Sequence, residues 1–280
     1  MRNMLRSDLR RLFRMRAFYV SLILLAVVIL LTAYGTWVST QKSISSLVEK
    51  AEIETGEDLS DFKGKARVAD AVGVNLRSLR RQMTTERLLI TPLTGQLPQY
   101  LLCILSALLI GRDFQPAYLK NLITVKDFRR KFFWSKLLTL SLACVIVYAA
   151  MFPLALIGSW ILGNPIVIGE KFLSVILPGN LLTTLADIAL MMLLAVLLQN
   201  KTAALVSGLI LIGGTMQMFC MLIDLAHFLP FTLQDKLLMT QTMRLDQTGL
   251  TIKFLLTALG QTAIATAGAR LLLDKRDLRV

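Results

Sequence analysis

One acidic side chain lies in the middle of a long apolar run, where its chemistry matters most. Asp187 occurs in the segment LLTTLADIALMMLL. A carboxylate at the centre of a membrane-length helix costs about 3 kcal/mol on insertion scales, unless it is paired, protonated or hydrated. Thr183 and Thr184 precede it by one helical turn and Asn180 by two, so a helix places these side chains on one face. The stripe could line a polar path or a seam between subunits, or could form structural hydrogen bonds to another helix, and both interpretations stay open.

The sequence contains few other residues that could bind a ligand or metal or take part in a reaction. Gln217 and Gln261 are further polar residues within apolar runs and are candidates of the same kind. His227 is the single histidine and has no carboxylate or cysteine at metal-ligand spacing. The three cysteines fall inside apolar runs, where a small buried side chain is the expected role; they are Cys103, Cys144 and Cys220.

Several reaction types need residues that this chain does not place together. The sequence contains no G-x-x-x-x-G-K-[ST] phosphate loop, so we predict no nucleotide site in the chain itself. An intramembrane hydrolase would need paired carboxylates, an H-E-x-x-H helix or a Ser–His pair, and one buried Asp with one peripheral His does not supply them. We therefore predict that the chain is not an enzyme and binds no metal or cofactor of its own.

Six apolar runs organise the chain. The protein has 280 residues, 55% of them hydrophobic, and about 20 apolar helical residues cross a bilayer. The sequence therefore predicts an all-α integral membrane protein with six transmembrane helices. The first run is too long for a cleaved signal peptide and is interpreted as a retained span. The runs cover residues 17–38, 93–110, 137–162, 172–198, 203–223 and 254–273.

The charges between the runs are sorted by side. Connections on the side of the N-terminus hold 18 Lys and Arg against five acids, and the opposite side holds 13 against twelve. Nearly the whole net charge of +13 therefore lies on one face. This is the positive-inside asymmetry, which places both termini in the cytoplasm of a multi-pass plasma-membrane protein. No nucleic-acid-binding motif accompanies the basic excess, so no nucleic acid is expected as a partner. The expected partner of these charges is the anionic lipid bilayer.

The sequence also predicts several smaller parts. Residues 1–16 form a basic amphipathic helix on the inner leaflet, and residues 17–280 form the six-span domain. Residues 38–92 form an extracellular cap segment, and residues 224–253 form a re-entrant outer loop, too apolar for a free connection and too short to span. The apolar face of the first helix consists of Met4, Leu5, Leu9, Leu12 and Phe13.

The cytoplasmic loop over residues 112–136 contains a second amphipathic pattern. Pro116 can open a helix, and Asp127 is the predicted N-cap of a helix that starts at Phe128 and enters the third span. Such a short helix, held between two spans, could transmit force from a partner, or it could simply rest on lipid; the pattern leaves both open. One face of the short helix carries Tyr118, Leu119, Leu122, Ile123 and Val125, and the other carries Lys120, Asn121 and Thr124.

This loop resembles the second-to-third-span loop of ABC exporter permeases of the type-2 (ABC-2) superfamily. The resemblance rests on the string from Lys120 to Thr124, on Arg129, and on the pair Ser135-Lys136. The family pattern is typically Gly-Thr-Ile-Lys-Asn-Leu-Leu-Ser, a Gly, a Ser-Arg pair, and a Lys at the foot of the next span. Six spans, an amphipathic first helix, a large first outer loop and a re-entrant-looking last outer loop also match. The chain departs from the motif at Ala117, Lys126 and Phe128.

The resemblance implies a specific role for the loop. It would be the coupling helix, which docks on a separate ATP-binding cassette subunit; ATP and Mg would be bound there. Two permeases, identical or different, and two ATPases would form an exporter in a bacterial cytoplasmic membrane. The expected cargo is hydrophobic or amphipathic, with a peptide or antimicrobial as one candidate. The coupling residues would be Tyr118, Leu119, Lys120, Asn121, Leu122, Ile123, Val125, Arg129 and Arg130.

Two other classes of protein compete with this interpretation. A membrane scaffold or sensor would use the 38–92 segment to bind a ligand. An ion-driven secondary transporter would usually show inverted repeats, and no repeat relates residues 1–140 to residues 141–280.

Overall fold

The computed structural model describes residues 2–55, 84–111, 113, 128–162, 166–212, 214–225, 232 and 234–275. Every regular element in these ranges is helical, which confirms the predicted all-α class. The α-helices in chain order are α1 (Arg2–Arg14), α2 (Arg16–Thr55), α3 (Thr85–Thr94), α4 (Leu97–Gly111), α5 (Phe128–Ile161), α6 (Leu177–Leu198), α7 (Lys201–Ile212), α8 (Gly214–Leu225), α9 (Leu238–Met243), α10 (Leu245–Thr248) and α11 (Ile252–Lys275). A π-helical turn over Phe172–Ile176 leads into α6, and a 3-10 turn over Gln234–Lys236 precedes α9.

Four described helical segments are long and apolar enough to cross a membrane, and a fifth crossing is possible if α3 and α4 act as one broken span. The chain therefore has the helices of a multi-pass membrane protein. Among the four, the segment Phe172–Leu198 has the bounds that the fourth apolar run predicts. The other three are Arg16–Val38, Lys131–Ile161 and Ile252–Leu273.

The fifth predicted run contains two described helical segments, α7 and α8, of 12 residues each. They lie on either side of residue 213, which is outside the described part of the chain.

The second predicted run is divided between two helices, α3 and α4. The chain turns at Gln96, whose φ of 55° lies in the left-handed region. Pro98 falls in the first turn of α4, where a missing backbone N–H costs no helical hydrogen bond. The division thus precedes the proline.

Residues 1–24, 93–150 and 170–280 form one compact unit centred on α6. α6 packs against α4, α7 and α11. Small residues let these helices approach closely: a Cβ on Gly208 of α7 would overlap the Met191 side chain of α6, and one on Gly268 of α11 would lie 3.2 Å from Leu193 Cδ1.

Residues 25–92 and 151–169 form the other unit. The Thr85 and Ser159 hydroxyls hydrogen-bond at 2.8 Å and are fully buried. Glu86 accepts a hydrogen bond from the Gly169 backbone N–H at 3.0 Å. These contacts join the start of α3 to the end of α5 and to the segment that follows it.

Helix α1 buries part of its predicted apolar face together with one acidic residue. Leu12 is fully buried as expected, but Phe13 is 42% exposed and the charged Asp8 is 4% exposed. Asp8, Leu12 and Met15 are spaced so that they share one side of the helix. The interior side of α1 therefore contains a carboxylate, which the separation into apolar and basic faces did not anticipate.

The connection between α8 and α11 contains two short helices, α9 and α10; residues 226–231 and 233 of the predicted 224–253 loop lie outside the described residues. Asp235 accepts hydrogen bonds from the Thr232 hydroxyl at 2.9 Å and from Arg244 Nη1 at 2.7 Å. The Thr232 hydrogen bond and the nearby Arg244 charge lower the pKa of Asp235. The contact between Asp235 and Arg244 thus links the residues before α9 to those after it.

Candidate functional site

A buried cluster of charged side chains joins three separate parts of the chain, and we call it the ionic cluster. It consists of Asp8 from α1, Arg11 one turn further on, Asp113 just after α4, and Ser135 and Lys136 from α5. Lys136 Nζ donates to Asp8 Oδ1 at 2.6 Å and lies 2.5 Å from Asp113 Oδ2. Ser135 Oγ donates to Asp8 Oδ2 at 2.6 Å, and Arg11 Nη1 donates to Asp113 Oδ1 at 3.0 Å.

The ionic cluster is withdrawn from solvent except at Arg11, whose side chain is 38% exposed. Lys136 and Asp113 are each 1% exposed, and the ammonium also lies 5.5 Å from the centre of the Phe132 ring. The short Nζ–Oδ2 contact makes Lys136 an ion-pair partner of Asp113 as well as of Asp8. Burial raises the pKa of Asp113, and the charge of Lys136 opposes that rise.

The charges of the ionic cluster balance. Two carboxylates face one ammonium and one guanidinium, so the cluster has no net charge when all four groups are ionised. Charges taken out of water are tolerated when each has a partner and strongly destabilising when one partner is removed. The cluster can therefore hold α1, the end of α4 and the foot of α5 in one arrangement; it contains no arrangement of groups for a covalent reaction.

The ionic cluster flanks the predicted coupling loop. Asp113 lies at the start of the 112–136 segment, and Ser135 and Lys136 lie at its end. The described part of α5 starts at Phe128, and the predicted N-cap position before it is outside the described residues. Arg129 and Arg130 lie in its first turn, but the structure does not describe their side chains. The remaining predicted coupling residues, Tyr118, Leu119, Lys120, Asn121, Leu122, Ile123 and Val125, lie outside the described residues, as does Asp127.

The predicted polar stripe on α6 is largely buried in the protein. Asn180, Thr183 and Thr184 are all under 4% exposed. The Tyr148 hydroxyl of α5 lies 2.7 Å from the Thr184 hydroxyl and donates to the Asn180 backbone oxygen at 3.2 Å. The Thr183 hydroxyl lies 2.7 Å from that of Thr242 in α9. These three residues thus make hydrogen bonds between helices, which is the structural interpretation that the sequence left open.

Asp187 continues the stripe but differs from the other members. It is only partly buried, and its hydrogen-bonding neighbour is Gln261 of α11. The structure therefore brings two of the predicted site residues together at the contact of α6 with α11. Gln217 lies in α8, and its side chain is not among those described.

Other buried polar groups lack a partner within the described part of the chain. Within the described residues, neither amide atom of Gln99 has a hydrogen-bond partner, although the residue is only 2% exposed. The buried Asn180 Oδ1 also has none. Such groups cost about 1–3 kcal/mol each unless water or a ligand satisfies them. The buried parts of α4 and α6 thus contain more polar groups than the apolar runs indicate.

One sequence feature points to the ionic cluster. Asp8 is the single acid in a strongly basic helix and is spaced four residues before Leu12 on the same side. Lys136 belongs to the family motif, but the motif implies no partner for it. Which acid meets which base depends on packing between distant segments, and the pattern of one helix does not contain that information.

Comparison with protein-family models and with curated proteins found no match to this chain.

Proposed function

We propose that this protein is the six-span permease subunit of an ATP-driven ABC exporter of the type-2 superfamily. A separate ATP-binding subunit, holding ATP and Mg, would dock on the coupling helix in the 112–136 loop. Two permeases, identical or different, would complete the transport path in a bacterial cytoplasmic membrane, with both termini in the cytoplasm. The fifth crossing in chain order would come from α7 and α8 together and the sixth from α11, with the 224–253 connection re-entering the membrane from outside.

The ionic cluster is the observation that carries this proposal. A loop that passes force from a partner to the membrane helices needs stiff anchors at both ends. Asp113 at one end and Lys136 at the other meet in a buried contact and are tied to α1 through Asp8 and Arg11. Such anchoring favours a loop that transmits displacement over one that rests passively on lipid.

A second observation supports the resemblance. Asp8 accepts hydrogen bonds from Ser135 and Lys136 of α5. These two residues form the part of the family motif at the foot of the third span. Their side chains thus have a structural task at the base of the proposed coupling loop. This favours a shared architecture there over a chance match of two residues.

Asp187 and Gln261 are the groups that we propose for the transport path. The buried hydroxyls of the α6 stripe bind one another across helices, whereas Asp187 remains partly accessible at the contact of α6 with α11. An intramembrane carboxylate that keeps access is suited to interact with a passing polar or cationic group on an amphipathic cargo.

Co-purification with the ATPase tests the proposal. Tyr118→Ala combined with Leu122→Asp should release the ATPase, or uncouple ATP hydrolysis from export in liposomes, because it removes the aromatic anchor and charges the apolar face. Thr124→Ala, on the opposite face of the same predicted helix, is the matched control and should change neither. Asp187→Leu should keep ATPase binding and lose export.

The proposal would be contradicted if the double variant still co-purified with the ATPase and still coupled ATP hydrolysis to export. The loop would then return to the role of a lipid-surface helix, and the exporter proposal would lose its partner.

A further inference from the structure

The outward side of α1 forms a groove lined by arginines, which we call the arginine groove. It has a volume of about 360 Å³. The described residues that line it include no acid, and four of the six are arginines. They are Asn3, Arg6, Ser7, Arg10, Arg11 and Arg14.

The ionic cluster fixes the position of the arginine groove. Asp8 projects from the interior side of α1 and is held by Lys136 and Ser135. Arg11 belongs to both features, because it lines the groove and donates to Asp113. α1 therefore cannot roll to hide its arginines without breaking a buried ion pair, and the groove is presented on a fixed side.

The surroundings of the arginine groove are those of a membrane interface. α2 starts at Arg16, and its membrane-length segment runs from Arg16 to Val38, so the groove lies within a few turns of the first span. Phe13 and Tyr19 flank the junction of the two helices and are 42% and 51% exposed. Exposed aromatic rings beside cations are typical of the headgroup level, where an apolar body and a polar partner are both available.

We propose that the arginine groove binds the phosphate headgroup of an anionic phospholipid in the leaflet on the N-terminal side. Guanidinium groups match phosphate oxygens with paired N–H donors, and several of them on one helix face surround the anion. Asn3 and Ser7 add neutral donors for the remaining headgroup oxygens. An acidic protein segment would satisfy the arginines but would leave Phe13 and Tyr19 in water, so the exposed rings favour lipid.

Native mass spectrometry of the purified full-length protein tests this site. The probes are phosphatidylglycerol and phosphatidylcholine with the same acyl chains. We expect wild-type protein to retain phosphatidylglycerol in preference to phosphatidylcholine. Arg6→Gln with Arg10→Gln should weaken phosphatidylglycerol binding on the order of tenfold, since each cation near the surface contributes measurably to anionic-lipid binding. Glutamine keeps helix propensity, and both sites are exposed, so α1 should still fold.

The matched control removes two exposed cations elsewhere, with Lys171→Gln and Lys253→Gln. Retention of the preference in the control, with its loss in the groove variant, would support the site. Equal losses in both variants would overturn it, because the effect would then be one of overall charge. Displacement of the lipid by millimolar inorganic phosphate would also overturn it, since the groove would then take a free anion. Normal lipid binding with loss of a co-purifying acidic protein would assign the groove to that protein instead.

Discussion

Lys136 is the residue on which the ionic cluster depends, because its ammonium is shared by two carboxylates. Lys136 Nζ pairs with both Asp8 and Asp113, and Asp113 also pairs with Arg11. Loss of Lys136 would take away the ammonium that Asp8 Oδ1 accepts from, while Asp8 Oδ2 would still accept from the Ser135 hydroxyl. A hydroxyl does not neutralise a carboxylate, so Asp8 would have to take up a proton or leave its buried position.

We therefore expect Lys136→Met to destabilise the protein by about 3–5 kcal/mol, the usual cost of removing one partner from a buried ion pair. The measurement is thermal unfolding of the purified protein in mild detergent. Asp8→Asn added to Lys136→Met removes the stranded charge, so the double variant should recover part of the loss. A double variant less stable than Lys136→Met alone would show that charge balance is not what the cluster supplies.

Individual polar residues were only partly predictable from the sequence. The stripe containing Asn180, Thr183 and Thr184 could be found because helical spacing places these side chains on one face whatever the tertiary packing. Their partners, Tyr148 and Thr242, could not, because those contacts depend on which helices become neighbours. The same limit explains why Asp8 was assigned to a basic surface helix and not to a buried contact.

At the scale of elements, the packing of α7 on α6 depends on a missing side chain. A Cβ on Gly208 would overlap Met191 Sδ and would lie 3.2 Å from Cys103 Sγ. Met191 is itself in contact with Cys103 at 3.3 Å between the two sulfur atoms. The three helices α4, α6 and α7 thus meet at a point with no spare volume.

Gly208→Ala should cost about 1–3 kcal/mol by overpacking, although alanine is the better helix former. When Met191→Ala is added, the loss of stability should be smaller than the sum of the two single losses. The smaller side chain at position 191 leaves room for the methyl group added at position 208. Gly260→Ala in α11 is the control: nothing lies within 4 Å of its Cβ position, so stability should be unchanged or slightly raised. Equal losses at Gly208 and Gly260 would mean that helix flexibility, and not packing, is what the glycines provide.

Element boundaries followed the sequence where a single run is long and uninterrupted. The fourth run predicted the segment Phe172–Leu198 because hydrophobicity and length agree there.

At the scale of the whole molecule, the sorting of charge predicts which ends of the helices face the cytoplasm. The native cysteines are well suited to a labelling experiment, because Cys103, Cys144 and Cys220 are all buried and should give little background. Single cysteines introduced at loop positions then report the side of the membrane directly.

Cysteines at Ser60 and Ser78 should react with a membrane-impermeant maleimide added to intact cells, and cysteines at Thr124 and Asn200 should react only after the cells are opened. The reason is the excess of Lys and Arg on the side that contains Thr124 and Asn200. External labelling at Thr124 would reverse the topology and with it the proposed cytoplasmic partner. Co-labelling with a permeant reagent confirms that each introduced thiol is reactive.

The contacts of Asp8 also impose an order on how the protein is made. The hydrogen bonds from Ser135 and Lys136 reach back over 127 and 128 positions. While the ribosome is still producing the first two spans, the carboxylate has neither partner and must stay in water. The N-terminal helix can therefore dock only after the foot of α5 has emerged, so a nascent chain halted before that point would leave its first helix open to an added protease.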